Sequence, residues 1–216
     1  MEDTQLHQEL DAALDAMPVV VLMRGDFADM LARLVPFLRA HAIRLFEITL
    51  NSPDALETIR ALSEYNTDMI IGAGTLTRVE HVEQTIQAGA RFLVSPHTDL
   101  EIIRAARQRS VPIIPGAFTP SEILAAYHAG ADLVKLFPAM PAGPEYIRQL
   151  RGPLPEVALI ATGGITPENA ADFLKAGARA VALGSALINT KLRAADGLLA
   201  FEQQLKTLVE NIRSKT

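Results

Sequence analysis

Short apolar runs alternate with amphipathic stretches along nearly the whole chain. Eight runs, "PVVVLMRG" from residue 18, "LFEITLN" from 45, "DMIIGAG" from 68, "RFLVSP" from 91, "VPIIPGA" from 111, "DLVKLFP" from 132, "VALIATGG" from 157 and "AVALGSA" from 180, follow one another every 20–27 residues. Each is rich in Val, Ile, Leu or Phe and closes on Gly, Pro, Asn or Ser, the signature of a buried strand. The segments between them read as helices. "TPSEILAAYHAGA" opens on a Thr119 N-cap with Pro120 in the first turn and Glu122 three residues after the cap, and it stops at Gly130. "TPENAADFLKAGA" repeats the design with Thr166, Pro167, Glu168 and Gly177. "FADMLARLVPFLRAHA" has helical spacing, with Pro36 marking a kink or a later start.

Eight strand-plus-helix units predict a single (β/α)₈ barrel. An open doubly wound sheet is the alternative, but "GAGTLT" at 72–77 lacks the third glycine of the dinucleotide fingerprint. Leu6, Leu10, Leu14 and Met17 fall at near-helical spacing, which predicts a helix over 1–17 that closes the barrel floor. The barrel core is expected over 18–192. The tail over 193–216 reads as the last outer helix, and "ALGSALI" at 182–188 as a strand end that starts another helix.

Composition narrows the classes. The chain of 216 residues is 49% hydrophobic and has no cysteine, which removes disulfides and thiolate metal sites and suits a reducing compartment. A net charge of −5 speaks against nucleic-acid binding through bulk charge. The five histidines show no metal-ligand spacing, so no metal is expected. The acidic, polar start "MEDTQLHQEL" is unlike a secretory signal, and no apolar run is long enough for a membrane span. The expectation is a cytoplasmic protein.

Strand alternation selects the candidate chemistry. In "LFEITLN" the set Leu45, Glu47, Thr49 and Asn51 shares one face, and in "DLVKLFP" the set Leu133, Lys135 and Phe137 does. If the apolar sets pack on helices, Glu47 and Lys135 point into the barrel near its C-terminal mouth, where barrel enzymes hold their active sites. A buried Lys–Glu ion pair without chemistry is the alternative, though such a pair is weak evidence for stability. Of the five lysines only Lys135 lies in a predicted strand. Lysine can lose its proton where arginine cannot, and an uncharged amine attacks a carbonyl to form an imine. A neighbouring carboxylate then shuttles protons.

The glycines after the seventh and eighth strands suggest an anion site. Gly163, Gly164, Gly184 and Ser185 offer unobstructed backbone N–H groups where barrels hold phosphate; tight turns alone would be the other use of these glycines. Arg24 and Thr75 would rim the mouth, Arg24 as a carboxylate fork or a plain loop charge, and Pro96 and Phe137 would wall it or simply pack. His97, just past the fourth strand, reads as a solvated loop residue within reach of the mouth.

"EITLNSP", "IGAGTL", "FLVSP", "IPGAFTPSEI", "VKLFPA", "ATGGITPEN" and "GSALI", in this order, resemble the 2-keto-3-deoxy-6-phosphogluconate / 4-hydroxy-2-oxoglutarate aldolases, from about residue 18 to about residue 190. The resemblance implies a class I, Schiff-base (β/α)₈ aldolase, typically homotrimeric, with no metal or organic cofactor. It implies that Lys135 forms the imine with pyruvate and that Glu47 is the general acid/base. Arg24 and Thr75 would hold the pyruvate carboxylate, and Pro96, Phe137 and Thr162 would line the pocket. Gly163, Gly164, Gly184 and Ser185 would bind the phosphate of a keto acid phosphate substrate. Asn51 stands where many gluconate-type members have an arginine, which gives Arg24 more weight. "LNSP" and "GPEYIRQLRG" look more like the 2-keto-3-deoxy-6-phosphogalactonate enzymes, whereas Thr162 looks more like the gluconate type, so the residues leave the epimer open. A phosphate-binding barrel isomerase or epimerase, and a silent sugar-phosphate-binding oligomer, are the rival readings.

Overall fold

The computed structural model describes residues 5–65 and 68–215; residues 1–4 of the expected N-terminal helix lie outside the described residues. Among the described residues nine strands form one parallel sheet: β1 Val19–Met23, β2 Leu45–Thr49, β3 Ile70–Gly74, β4 Phe92–Val94, β5 Ile113–Ile114, β6 Gly116–Ala117, β7 Val134–Leu136, β8 Leu159–Thr162 and β9 Ala180–Leu183. Their order is β5-β4-β3-β2-β1-β9-β8-β7-β6, so the two ends of the sheet are neighbours in the chain.

The ninth strand is the expected fifth one cut in two. Proline has no N–H to give to a ladder, and Pro115 sits between β5 and β6. β5 pairs with β4 and β6 with β7, while the Pro115 carbonyl still accepts from the Lys135 amide at 2.8 Å. The two halves act as one stave, which closes an eight-stave (β/α)₈ barrel.

The helices are α1 Gln5–Ala16, α2 Leu31–Ala40, α3 Ala55–Glu64, α4 Glu80–Gln87, α5 Leu100–Gln108, α6 Pro120–His128, α7 Ala139–Arg151, α8 Ala170–Lys175 and α9 Gly197–Lys215. Side-chain alternation sorts the strands into two apolar cores. Val19, Val21, Met23, Phe46, Ile48, Val134 and Leu136 pack outward against the helices. Val20, Leu22, Leu45, Ile70, Phe92, Leu133 and Ile160 fill the interior together with Leu10, Ala13 and Leu14 of α1, so α1 closes the floor. Pro36 lies inside α2, six residues into the helix, and α2 begins at Leu31 after a 3₁₀ turn over Ala28–Met30.

Two local expectations need correction. The segment after β9 starts no helix: the Leu187 and Ile188 amides both turn back to the Gly184 carbonyl, at 2.9 and 2.8 Å, and a 3₁₀ turn over Thr190–Arg193 precedes α9. The Thr119–Glu122 capping box of α6 forms, but its repeat before α8 closes on Asn169. There the Thr166 amide donates to Asn169 Oδ1 at 2.8 Å and the Asn169 amide to Thr166 Oγ1 at 3.4 Å. Glu168 is one residue too early to reach back and is exposed.

Candidate active site

Glu47 on β2 and Lys135 on β7 face each other across the barrel. Counting β5 and β6 as one stave, three staves separate them in either direction. Both are buried in the interior, at 2% and 5% exposure. Lys135 is the one buried lysine among the described side chains. They form no ion pair with each other; Lys135 Nζ lies 5.2 Å from the Phe137 ring centroid, and Glu47 Oε1 is buried without a hydrogen-bond partner. A second such atom is Thr162 Oγ1 on β8. Unpartnered buried oxygens are costly and rare, and both of these point into the same end of the barrel.

Room for the carboxylate comes from Gly74 and room for the Phe92 ring from Gly72, two glycines with no role in the sequence reading beyond their motif. A Cβ on Gly74 would fall 1.8 Å from Glu47 Oε1, and one on Gly72 would fall 2.3 Å from the Phe92 ring. Gly72 pairs in register with Glu47 and Gly74 with Thr49. The signal was present in "IGAG": two glycines on the inward face of a strand mark a close approach. Gly116, in register with Lys135, does the same for the next loop, since a Cβ there would fall 2.4 Å from the Pro96 carbonyl group.

A cavity of about 440 Å³ opens at the mouth, and Arg24, Lys135, Phe137, Thr162, Gly163, Gly164, Gly184 and Ser185 all line it. Leu22, Ile165, Thr166, Ala182, Ala186 and Ile188 complete the wall. Leu22 and Ala182 could have been read from alternation on their strands; Ile165 and Ile188 lie in turns whose course no periodicity shows. Glu47, Thr75 and Pro96 are not in the lining. Glu47 sits deeper, and Thr75 and Pro96 are half-buried on the far side, after β3 and β4. Thr75 holds a left-handed φ of 63°, uncommon for a non-glycine residue. His97 is exposed and lies 3.7 Å from Asp99, outside the cavity.

The two glycine segments expected to cradle an anion stand on unequal scaffolds. The amides of Gly164, Ile165, Gly184, Ser185 and Ala186 meet no acceptor among the described residues, and all five residues line the cavity. Gly163 and Gly164 have φ of 94° and 78°, and a Cβ on Gly164 would fall 2.3 Å from Met140 Cβ. Turn conformation and close packing therefore both demand glycine here, alongside the free amides. Arg24 is exposed at the rim without a partner among the described residues, an open guanidinium on the wall that also carries Gly184 and Ser185. No group of three or more metal-ligating side chains occurs among the described residues.

Comparison with known proteins gives the chain a set of relatives. The family model for KDPG and KHG aldolase matches residues 10–202. The chain is 35% identical to the 2-dehydro-3-deoxy-6-phosphogalactonate aldolase of Escherichia coli K12, over 79% of this chain and 84% of that protein. It is 37% identical to the 2-dehydro-3-deoxy-phosphogluconate aldolase of Pseudomonas aeruginosa, over 73% of this chain and 71% of that one. Among solved structures, KDPG aldolase from Legionella pneumophila, with pyruvate captured as a covalent carbinolamine, superposes with a TM-score of 0.79 at 26% identity over 100% of both chains.

Proposed function

The chain belongs to the KDPG and KHG aldolase family, and from that premise we propose that it cleaves a 2-keto-3-deoxy-6-phospho sugar acid to pyruvate and glyceraldehyde 3-phosphate, with Lys135 as the imine-forming amine. It is a carbon–carbon lyase of the class I aldolase type. The observation that carries the residue assignment is the placement of one buried lysine opposite one buried carboxylate whose Oε1 has no partner.

The uncharged Lys135 amine attacks the C2 ketone and gives a carbinolamine, which loses water to form the protonated imine. Glu47, through a bridging water, takes the proton of the C4 hydroxyl. The C3–C4 bond breaks, its electron pair moves into the imine, and the aldehyde leaves. The resulting enamine takes a proton at C3, and water hydrolyses the imine to release pyruvate and free Lys135. Thr162 and Phe137 wall the reacting carbons. Arg24 and Thr75 serve the pyruvate carboxylate, Pro96 closes the far wall, and the amides at Gly163, Gly164, Gly184 and Ser185 take the phosphate.

The family likeness also supports a homotrimer acting in the cytoplasm; no described helix is long and apolar enough to cross a membrane. A coupled pyruvate-release assay tests the function. It should report cleavage of the gluconate or the galactonate epimer at C4, with 4-hydroxy-2-oxoglutarate as a shorter second substrate. Pyruvate release from none of them, or release that survives Lys135→Arg, contradicts the reading, the latter in favour of chemistry without an imine.

A further inference from the structure

The loop after β1, which carries Arg24, is tied down from both sides by groups that take no part in the chemistry above. On one side the Ser52 hydroxyl accepts from the Gly25 amide at 3.0 Å. Ser52 in turn lies 3.1 Å from the Thr49 hydroxyl, which donates to the Met23 carbonyl at 3.1 Å. On the other side Arg193 reaches back from the segment after β9. Its Nη1 donates to Asp29 Oδ2 and its Nη2 to Asp29 Oδ1, both at 2.8 Å, and Nη2 donates also to the Asp26 carbonyl at 2.8 Å. The guanidinium carbon lies 5.8 Å from the Phe27 ring centroid.

Arg193 ends the segment that forms the adjoining part of the cavity wall. Gly184, Ser185, Ala186 and Ile188 of that segment line the cavity. Asn189 Nδ2 donates to the Ser185 carbonyl at 2.9 Å, and Asn189 Oδ1 accepts from the Lys191 amide at 3.0 Å, which leads the chain into the 3₁₀ turn that presents Arg193. One side chain thus joins the two loops that flank the β1–β9 side of the mouth. Its partner Asp29 is 57% exposed and Arg193 itself 45%. An exposed ion pair adds little to stability, but a bidentate fork fixes distance and plane. That asymmetry makes geometry, and not stability, the natural use of this contact.

We propose that Arg193 is a positioning residue: it holds the 24–29 loop against the 184–188 segment and so fixes Arg24, which meets the substrate carboxylate, relative to the free amides of Gly184, Ser185 and Ala186, which meet its phosphate. This rests on the reading of Arg24 and those amides as anion binders. The Asp29 carboxyl, held below the ordinary aspartate range chiefly by its hydrogen bonds from Arg193, stays charged throughout the neutral range and keeps the fork closed.

Steady-state kinetics on the full chain, with whichever C4 epimer is cleaved faster, provide the test. Arg193→Ala and Asp29→Asn should each raise KM roughly tenfold while kcat stays within about twofold. Arg193→Lys keeps the charge without the fork and should behave like the alanine variant. In an Arg24→Ala background, Arg193→Ala should add less than about a twofold change, because the two residues act through one contact. Unchanged KM in both Arg193→Ala and Asp29→Asn, full rescue by lysine, or effects that multiply in the double variant would overturn the proposal while leaving the anion reading intact. An Arg24→Ala enzyme with unaltered KM would overturn that reading and this proposal with it.

Discussion

The two ends of the barrel treat their polar side chains in opposite ways. At the floor, residues just before strands are paired with α1: Asp132 lies 3.0 Å from His7 and 3.3 Å from Arg107, Arg91 pairs with Glu9, and Arg179 pairs with Asp15 at 2.5 Å. Among the described residues only Arg107 Nε is buried there without a partner, its Nη1 carrying both of that side chain's polar contacts. At the mouth, Glu47 Oε1, Thr162 Oγ1, Arg24 and five backbone amides are unpartnered among the described residues. Satisfied groups stabilise a fold; unsatisfied ones destabilise it and are kept where a ligand completes them. The comparison separates structure from function within one barrel, and substitutions should divide the same way.

The largest effect is expected at the mouth. Lys135→Ala should lower pyruvate release by about 10³-fold or more, since no other residue lining the cavity carries a side-chain amine that could form the imine. Glu47→Gln should cost about 10²–10⁴ in kcat while the thermal midpoint holds or rises, because a buried carboxylate with an unpartnered oxygen is replaced by a neutral isostere. Differential scanning calorimetry beside the kinetics checks both halves of that statement; a loss of stability on a par with the loss of activity would erase the distinction drawn above.

At the floor the pattern should invert. Asp132→Ala leaves Arg107 without its carboxylate in a largely buried site and should cost about 3 kcal/mol, a fall in the midpoint of roughly 6–12 °C, with kcat within about twofold of the parent. Burial raises the Asp132 carboxyl above the ordinary aspartate value, against opposing bonds from the Ile113 amide, His7 and Arg107. A raised acid binds its proton more readily folded than unfolded. Its contribution is therefore fully present below the unfolded value and is lost as pH rises through the folded one, and Asp132→Asn should flatten that slope in urea titrations.

The smallest expected change lies in the α6 cap. Thr119→Ala should cost about 1 kcal/mol. The amides of Thr119 and Phe118 and the Thr119 hydroxyl hold the Glu122 carboxyl below the ordinary glutamate value. Its stabilisation is present above the unfolded value and fades as pH falls through the folded one, opposite in sign to Asp132. Equal pH dependence for the Asp132→Asn and Glu122→Gln variants would contradict these assignments.

Period-two alternation made the inward faces of the second and sixth predicted strands legible, and with them Glu47 and Lys135, whereas Thr162 came in only through the family resemblance. The glycine segments after the seventh and eighth predicted strands do line the cavity. What escaped depends on contacts between segments far apart in the chain. The break at Pro115 became visible only with β4 and β7 on either side of it. The space at Gly74 required the Glu47 side chain lying over it. The turn after β9, and the Arg193 fork it delivers to Asp29 164 residues away, carry no local periodicity. Thr75 and Pro96 were placed correctly at strand ends, yet which sector of the mouth opens into the cavity is a tertiary property.

The most direct test of Lys135 as the imine-forming amine is borohydride reduction of the enzyme in the presence of pyruvate, followed by peptide mass mapping. A stable reduced adduct should map to Lys135, and Lys135→Ala should abolish it. Reduction that labels Lys175, Lys191 or another amine, or no amine at all in an enzyme that is otherwise active, would contradict it.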